Sequence, residues 1–358
     1  MRTPDLDIDR ARRLVLAHGW NATCYQILNP GFQLWFSEAG DAVAGYVEYG
    51  HTRIIGGAPV CPRGRLASVA EELEARNRAD RRRTCYFAAE ARLEKVYRTA
   101  TDHATMVLGS QPCWNPSDWP RRIAWHASLR AQLNRAANKG VVVERWPSSR
   151  AHNHPELRRC LQEWLATRGL PPMHFLIEPE TLSRVFDRKV LVARRDARVT
   201  AFLVASPIPA RSGWLVEQVV RGSGAVNGTS EMLIDAAVRE MIADGSTYVS
   251  LGLVPLASQP GSTVHTDPMK RNPAWFSSFM TWLRAHGQRY YNVKGLESFK
   301  AKFGPDRWEP VYAIVDEERV RPSVLYAVAA AFAQGSPVAL LGRGFLNVLR
   351  STCRSVGS

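Results

Sequence analysis

Leu66, Val69, Ala70 and Leu73 stand three and four residues apart in LASVAEELEARNRADRRR, a spacing that predicts a helix over 66–83 with one apolar stripe. A similar helical rhythm runs over 7–18. Between these helices the pattern changes to short apolar runs, FQLWF (32–36), AVAGYVE (42–48) and TRIIG (52–56), interrupted by glycines and by Glu38 and Asp41, which predict strands. TCYFAAE, after the 66–83 helix, reads as a buried strand. QPCWNPSDWP (111–120) has the composition of a loop, and RRIAWHASLRAQLNRAANKG, which follows it, reads as one helix ending on Lys139-Gly140. The pattern breaks at WPSSRAHNHP (146–155), where a domain boundary is expected.

The second part repeats the layout. A helix at 155–168 precedes strands at 190–195, 199–208 and 213–221. The glycine-rich GSGAVNG, a helix at 229–243, the strand TYVSLGLVPL and a helix at 273–286 follow. Helix, antiparallel strands, glycine turn, helix and strand in this order resemble a GNAT-type acyltransferase domain. The expectation is an α/β (α+β) fold of two such domains, 1–150 and 151–320, with mixed, largely antiparallel sheets flanked by helices. A basic amphipathic tail at 321–358 completes the chain.

Composition fits this reading: 358 residues with 45% hydrophobic and 22% charged side chains can bury two cores. The net charge of +14 changes the picture more, because it fits a polyanionic partner: nucleic acid, an anionic membrane or a phosphorylated substrate. Plain solubility is the alternative. The charge is uneven, with 121–150 opposing seven basic residues with Glu144 alone. The tail joins Arg321, Arg343, Arg350 and Arg354 to two apolar runs, PSVLYAVAAAFA and PVALLGRGFLNVL, which suit either an anionic lipid surface or docking on the protein itself. Six cysteines without CxxC spacing, and an N-terminus without an apolar core segment, suggest reduced thiols in the cytoplasm. No metal-ligand spacing such as HExxH occurs, and no GxSxG elbow.

Three stretches carry candidate chemistry. In NVKGLESFKAKFGPDRWEPVYAI, Leu296, Phe299 and Phe303 form one apolar helix face that Gly304-Pro305 ends, and Lys300 and Lys302 project from other faces. The helix dipole alone accommodates both lysines; a phosphate or a developing oxyanion would use them. In LVEQVVRGSGAVNGTSEMLIDAAV, Arg221 and the glycines before Thr229 can aim N–H groups at an anion, or can form an ordinary left-handed turn. In TYVSLGLVPLAS, Gly252 and Pro255 break the strand, which opens a channel beside it.

NGTSEMLIDAAV, YVSLGLVPLA and the Lys300 stretch, preceded by RIIGGAPV (53–60) and SLRAQLNRAANKG (128–140), resemble the C-terminal catalytic domain of the phosphatidylglycerol lysyltransferase (multiple peptide resistance factor) family. The resemblance implies an enzyme that moves an amino acid from aminoacyl-tRNA to a hydroxyl acceptor, either a lipid headgroup such as phosphatidylglycerol or a small metabolite. It needs no cofactor beyond the aminoacyl-tRNA co-substrate. No apolar run is long enough to cross a bilayer, so the membrane half of the lysyltransferases has no counterpart in these residues. The expected location is cytoplasmic, with peripheral membrane contact through 321–358. Lys300 and Lys302 are then assigned to the terminal phosphate and oxyanion, and Arg221 and Glu217 to orienting donor or acceptor. Asn227, Gly228, Thr229, Gly252 and Pro255 would line the substrate. Glu217 and Asp235 both stand as candidate bases. Arg121, Arg122, Arg130, Arg135 and Lys139 would meet the tRNA backbone, with Trp119, Trp125 and Trp146 stacking. An acyl-CoA-dependent GNAT N-acyltransferase and a non-catalytic RNA- or membrane-binding module are the alternatives.

Overall fold

The computed structural model describes residues 4–167, 172–255, 257 and 293–336. The helix expected at 273–286 and the second apolar run of the tail lie outside the described residues. The first half holds α1 (Pro4–His18), β1 (Gln33–Phe36), β2 (Val43–Tyr49), β3 (Thr52–Gly56), α2 (Leu66–Ala79), β4 (Arg83–Ala89), α3 (Ala91–Tyr97) and β5 (Ala104–Trp114). Next come α4 (Trp119–Trp125), α5 (Ala127–Asn138), β6 (Val142–Trp146), α6 (Ser148–Ala151), α7 (Pro155–Ala166), β7 (Lys189–Arg195), β8 (Arg198–Ile208) and β9 (Gly213–Arg221). The chain continues through α8 (Thr229–Ala243), β10 (Tyr248–Ser250), β11 (Val254–Pro255), α9 (Val293–Ala301), β12 (Arg307–Val315) and α10 (Pro322–Ala333).

The strands form one mostly antiparallel sheet in the order β1-β2-β3-β4-β12-β5-β10-β9-β8-β7-β6, with β11 also on β5. Helices flank it, as expected for a tandem GNAT-type fold. The division by residue number does not follow the sheet. β6 precedes residue 150 yet pairs with β7 of the second half, and β12 returns from the second half to lie between β4 and β5. β12 is paired on both edges and buries Val311, Ala313, Ile314 and Val315, so it is an interior strand of the first half. β10 joins the halves, antiparallel to β5 and parallel to β9.

Local differences have local causes. Residues 111–114, expected in a loop, end β5, because Gln111, Cys113 and Trp114 are buried against β10 and β12. The helix expected over 121–140 is two helices, α4 and α5, broken where His126 takes ψ 87°. The tail begins by docking rather than reaching outward. α10 packs Val324, Ala327 and Ala331 into the core under β3 and β4, and Arg321 pairs with Glu317 at 3.2 Å. Its apolar stripe is therefore spent on its own sheet. Among the described residues no helix is long and apolar enough to cross a membrane.

Candidate active site

The strand break is where the sheet opens. β10 pairs Tyr248, Val249 and Ser250 with Gly213, Trp214 and Leu215 of β9; beyond Leu215, among the described residues, β9 pairs with β8 alone, while β11 stays on β5. Gly252, at φ +73°, makes the turn that parts them. The departure strips the carbonyls of Leu251, Gly252 and Leu253 of ladder partners. Lys300, on α9, supplies the replacement: its Nζ donates to these three oxygens at 2.6, 2.9 and 3.1 Å. Lys300 is 8% exposed, and burial pushes its pKa down to about 7. The sequence placed this lysine on an outer helix face with a phosphate partner; the structure places it inside, at the fork of the sheet, with backbone oxygens as partners.

Lys302 is two residues away in another environment. Its ammonium pairs with Glu231 in the first turn of α8 and lies 4.1 Å from the centroid of the Phe299 ring. The opposing carboxylate occupies the place expected for a phosphate.

The glycine loop of 222–228 is also self-satisfied. Glu163 of α7 accepts from the Ser223 N–H and hydroxyl, both at 2.9 Å, and these bonds hold its carboxyl below the usual range. A side chain at Gly222 would come within 2.7 Å of Glu163 Oε2. Gly228, at φ +95°, opens α8, and a Cβ there would overlap the carbonyl oxygen of Gln132 in α5. Thr229 is buried, its hydroxyl donating to Val226 O at 2.8 Å. Arg221 is exposed, Asn227 is exposed, and Pro255 sits in β11 beside the fork. An anion at this loop would compete with Glu163 for the Ser223 donors.

Both candidate bases are held by other side chains. Glu217 is buried and accepts from Asn29 at 2.9 Å, from Arg188 at 3.0 Å and from Ser206. Burial alone would raise its pKa, but Arg188 and these hydrogen bonds bring it below the ordinary value. With Arg188 lying over Tyr25, 4.8 Å from the ring centroid, Glu217 ties the two halves together. Asp235 accepts from Trp119 Nε1 at 2.8 Å and from Arg239 at 2.9 Å.

Of the five cations expected to meet RNA, two donate to backbone carbonyls. Arg122 binds Gly304 O and Asp306, and Arg130 donates to Ile123 O at 3.1 Å and to Ala124 O. Arg130 is nonetheless exposed, as are Arg121, Arg135 and Lys139, and Arg121 pairs with Asp118 at 3.4 Å. Trp119 and Trp146 are buried in cores, which removes them as stacking residues, whereas Trp125 is 78% exposed.

The family model described as "Phosphatidylglycerol lysyltransferase, C-terminal" matches residues 9–315. The chain belongs to that family. It is a transferase family, and several solved structures share the fold of this chain. A C-terminal domain of a putative lysylphosphatidylglycerol synthetase from Agrobacterium fabrum is 22% identical with TM-score 0.74, over 93% of this chain and 96% of that one. L-PGS from Bacillus licheniformis is 18% identical with TM-score 0.72, over 90% and 95%. FemX is 10% identical with TM-score 0.55, over 92% and 98%. No curated protein matches.

Within this family member a second buried polar network went unnoticed in the sequence. Arg211 pairs with Glu90 and, at 2.8 Å, with Glu309 of β12; the Tyr248 hydroxyl reaches Glu309 at 3.0 Å and the Cys113 thiol at 3.0 Å. Burial raises the Glu90 carboxyl, while Arg211 overcomes burial at Glu309 and lowers it. The available signal was a charged residue inside the apolar strand WEPVYAIV. A cavity of about 240 Å³ lined by Phe32, Phe175 and Gln334 holds none of the candidate residues.

Proposed function

We propose that the protein transfers an aminoacyl group from an aminoacyl-tRNA to a hydroxyl acceptor, with the phosphatidylglycerol headgroup as the first acceptor to test and a small metabolite as the second. The observation that carries this reading is Lys300: a buried amine with a pKa near 7 at the fork of the sheet, in a chain of the lysyltransferase family. The donor ester is already activated, so the protein has to position it and manage one proton. The acceptor oxygen attacks the ester carbonyl, a new C–O bond forms, and the bond to the tRNA ribose oxygen breaks. On losing its proton Lys300 keeps two of its three carbonyl bonds and turns its lone pair to the acceptor hydroxyl, takes that proton and returns it to the departing ribose oxygen, while the carbonyls of Leu251, Gly252 and Leu253 hold the intervening ammonium. Lys302, through Glu231, fixes α9 against α8, and exposed Arg221 lies at the loop for a phosphate of either substrate.

Glu163 of α7, which takes the Ser223 donors of the glycine loop, favours this reading over acyl-CoA chemistry. The test is to incubate the protein with tRNA charged with labelled amino acids, together with phosphatidylglycerol vesicles or a metabolite extract, with and without RNase. RNase-sensitive labelling of an acceptor supports the proposal. Acetyl-CoA-dependent, RNase-resistant transfer overturns it, and so does RNA or vesicle binding without turnover.

A further inference from the structure

Trp125 ends α4 with its ring 78% exposed, the most exposed large apolar side chain among the described residues. A lone indole in solvent is a large unburied apolar area, and what surrounds it selects its partner. From Trp119 to Gly140 the chain carries five basic residues and no Asp or Glu, and Asp118, just before them, pairs with Arg121 at 3.4 Å on an exposed surface. Arg121 lies with its guanidinium carbon 5.6 Å from the Trp125 ring centroid, and Arg135 and Lys139 continue the exposed charge along α5. Aromatic faces among cations that track a phosphate backbone are how proteins hold unpaired nucleotides. Position adds a second argument. Arg122 anchors α4 to Gly304 and Asp306, and the ring of neighbouring His126 stands against Gly304. Trp125 is thereby fixed beside the turn that directly follows Lys300 and Lys302.

We infer that Trp125 is the stacking platform for an unpaired base at the 3′ end of the RNA, steadied by Arg121, and that it orients the esterified terminus toward Lys300. This rests on the aminoacyl-tRNA reading above. The aromatic face supplies position rather than sequence choice, since every base offers a π-face.

The test uses the full chain and two labelled RNA hairpins of one sequence, one ending in an unpaired 3′ CCA and one blunt, with affinity read by fluorescence anisotropy at fixed salt. Wild type should prefer the overhang hairpin. Trp125→Ala should weaken overhang binding by about tenfold or more, as loss of one stacked base implies, and should change blunt binding less than about twofold. Trp125→Phe should restore most of the loss. Because the side chain is exposed, thermal unfolding should be unchanged. Equal binding of the overhang hairpin by wild type and Trp125→Ala overturns the platform while leaving the tRNA reading intact. No binding of either hairpin by wild type overturns both. If Trp125→Ala instead abolishes sedimentation with phosphatidylglycerol vesicles and leaves RNA affinity unchanged, the indole is a lipid contact and the inference fails.

Discussion

The two sides of the opened sheet solve opposite electrostatic problems. At the fork, three carbonyls freed by the break at Gly252 gather a cation, Lys300. At the glycine loop, N–H and hydroxyl donors gather an anion, Glu163. Both looked in sequence like places waiting for a charged ligand, and both are satisfied from within. They differ in burial. Lys300 is desolvated enough for its proton to become mobile near neutral pH, while Glu163 is more exposed and only becomes a better-held carboxylate. The buried amine of Lys300 is chemically poised, whereas Glu163, nearer solvent, is a fastening.

The sharpest way to break this contrast is Lys300→Met, which should cut transfer by about a hundredfold or more, the usual scale for a lost proton carrier. Retained transfer would place the chemistry elsewhere. The wild-type rate should rise with pH through about 7, as the neutral amine becomes available, and the variant should lose that limb. The sign for stability runs the same way. The folded pKa lies below the unfolded 10.5, so between these values the unfolded chain binds the extra proton, and Lys300's contribution to stability grows from about pH 7 toward 10.5. Chemical denaturation across that range, wild type against Lys300→Met, reads the difference.

On the loop side the largest effect should come from Gly228→Ala, which combines a left-handed backbone with overlap on Gln132 and should lose about 2 kcal/mol or more of stability. A neutral effect on urea unfolding would mean that α5 does not seat on α8. Glu163→Ala should lose about 1 kcal/mol and leave RNA-dependent transfer within about twofold; a large loss of transfer would move Glu163 into the chemistry. Lys302→Met should be mildest in stability, at most about 1 kcal/mol for a partly exposed pair, with a smaller loss of transfer than Lys300→Met. Equal losses at the two lysines would erase the contrast between them.

Much of the architecture was legible because it depends on local spacing. The helix over 229–243 and the strand over 213–221 have the bounds that the apolar pattern gives, and the break at Gly252 follows from its glycine and the nearby Pro255. The site was legible only as residue types. Lys300 was found, but its partners are backbone oxygens some fifty residues earlier, and no spacing encodes them. Glu217 and Asp235 carry the right group for a base, yet distant Arg188, Asn29 and Trp119 occupy their oxygens. Trp119, Trp125 and Trp146 are equivalent in sequence; packing buries two and leaves one in solvent.

By itself the sequence determined most of the helices and strands, the excess of positive charge and the family motifs, since periodicity, composition and short spacing are properties of neighbouring residues. Tertiary structure alone decided that β12 crosses back between β4 and β5, which charges are free and which amine loses its water. Strand order, burial and hydrogen-bond satisfaction depend on contacts between residues far apart in the chain, and those contacts exist only once the sheet has closed.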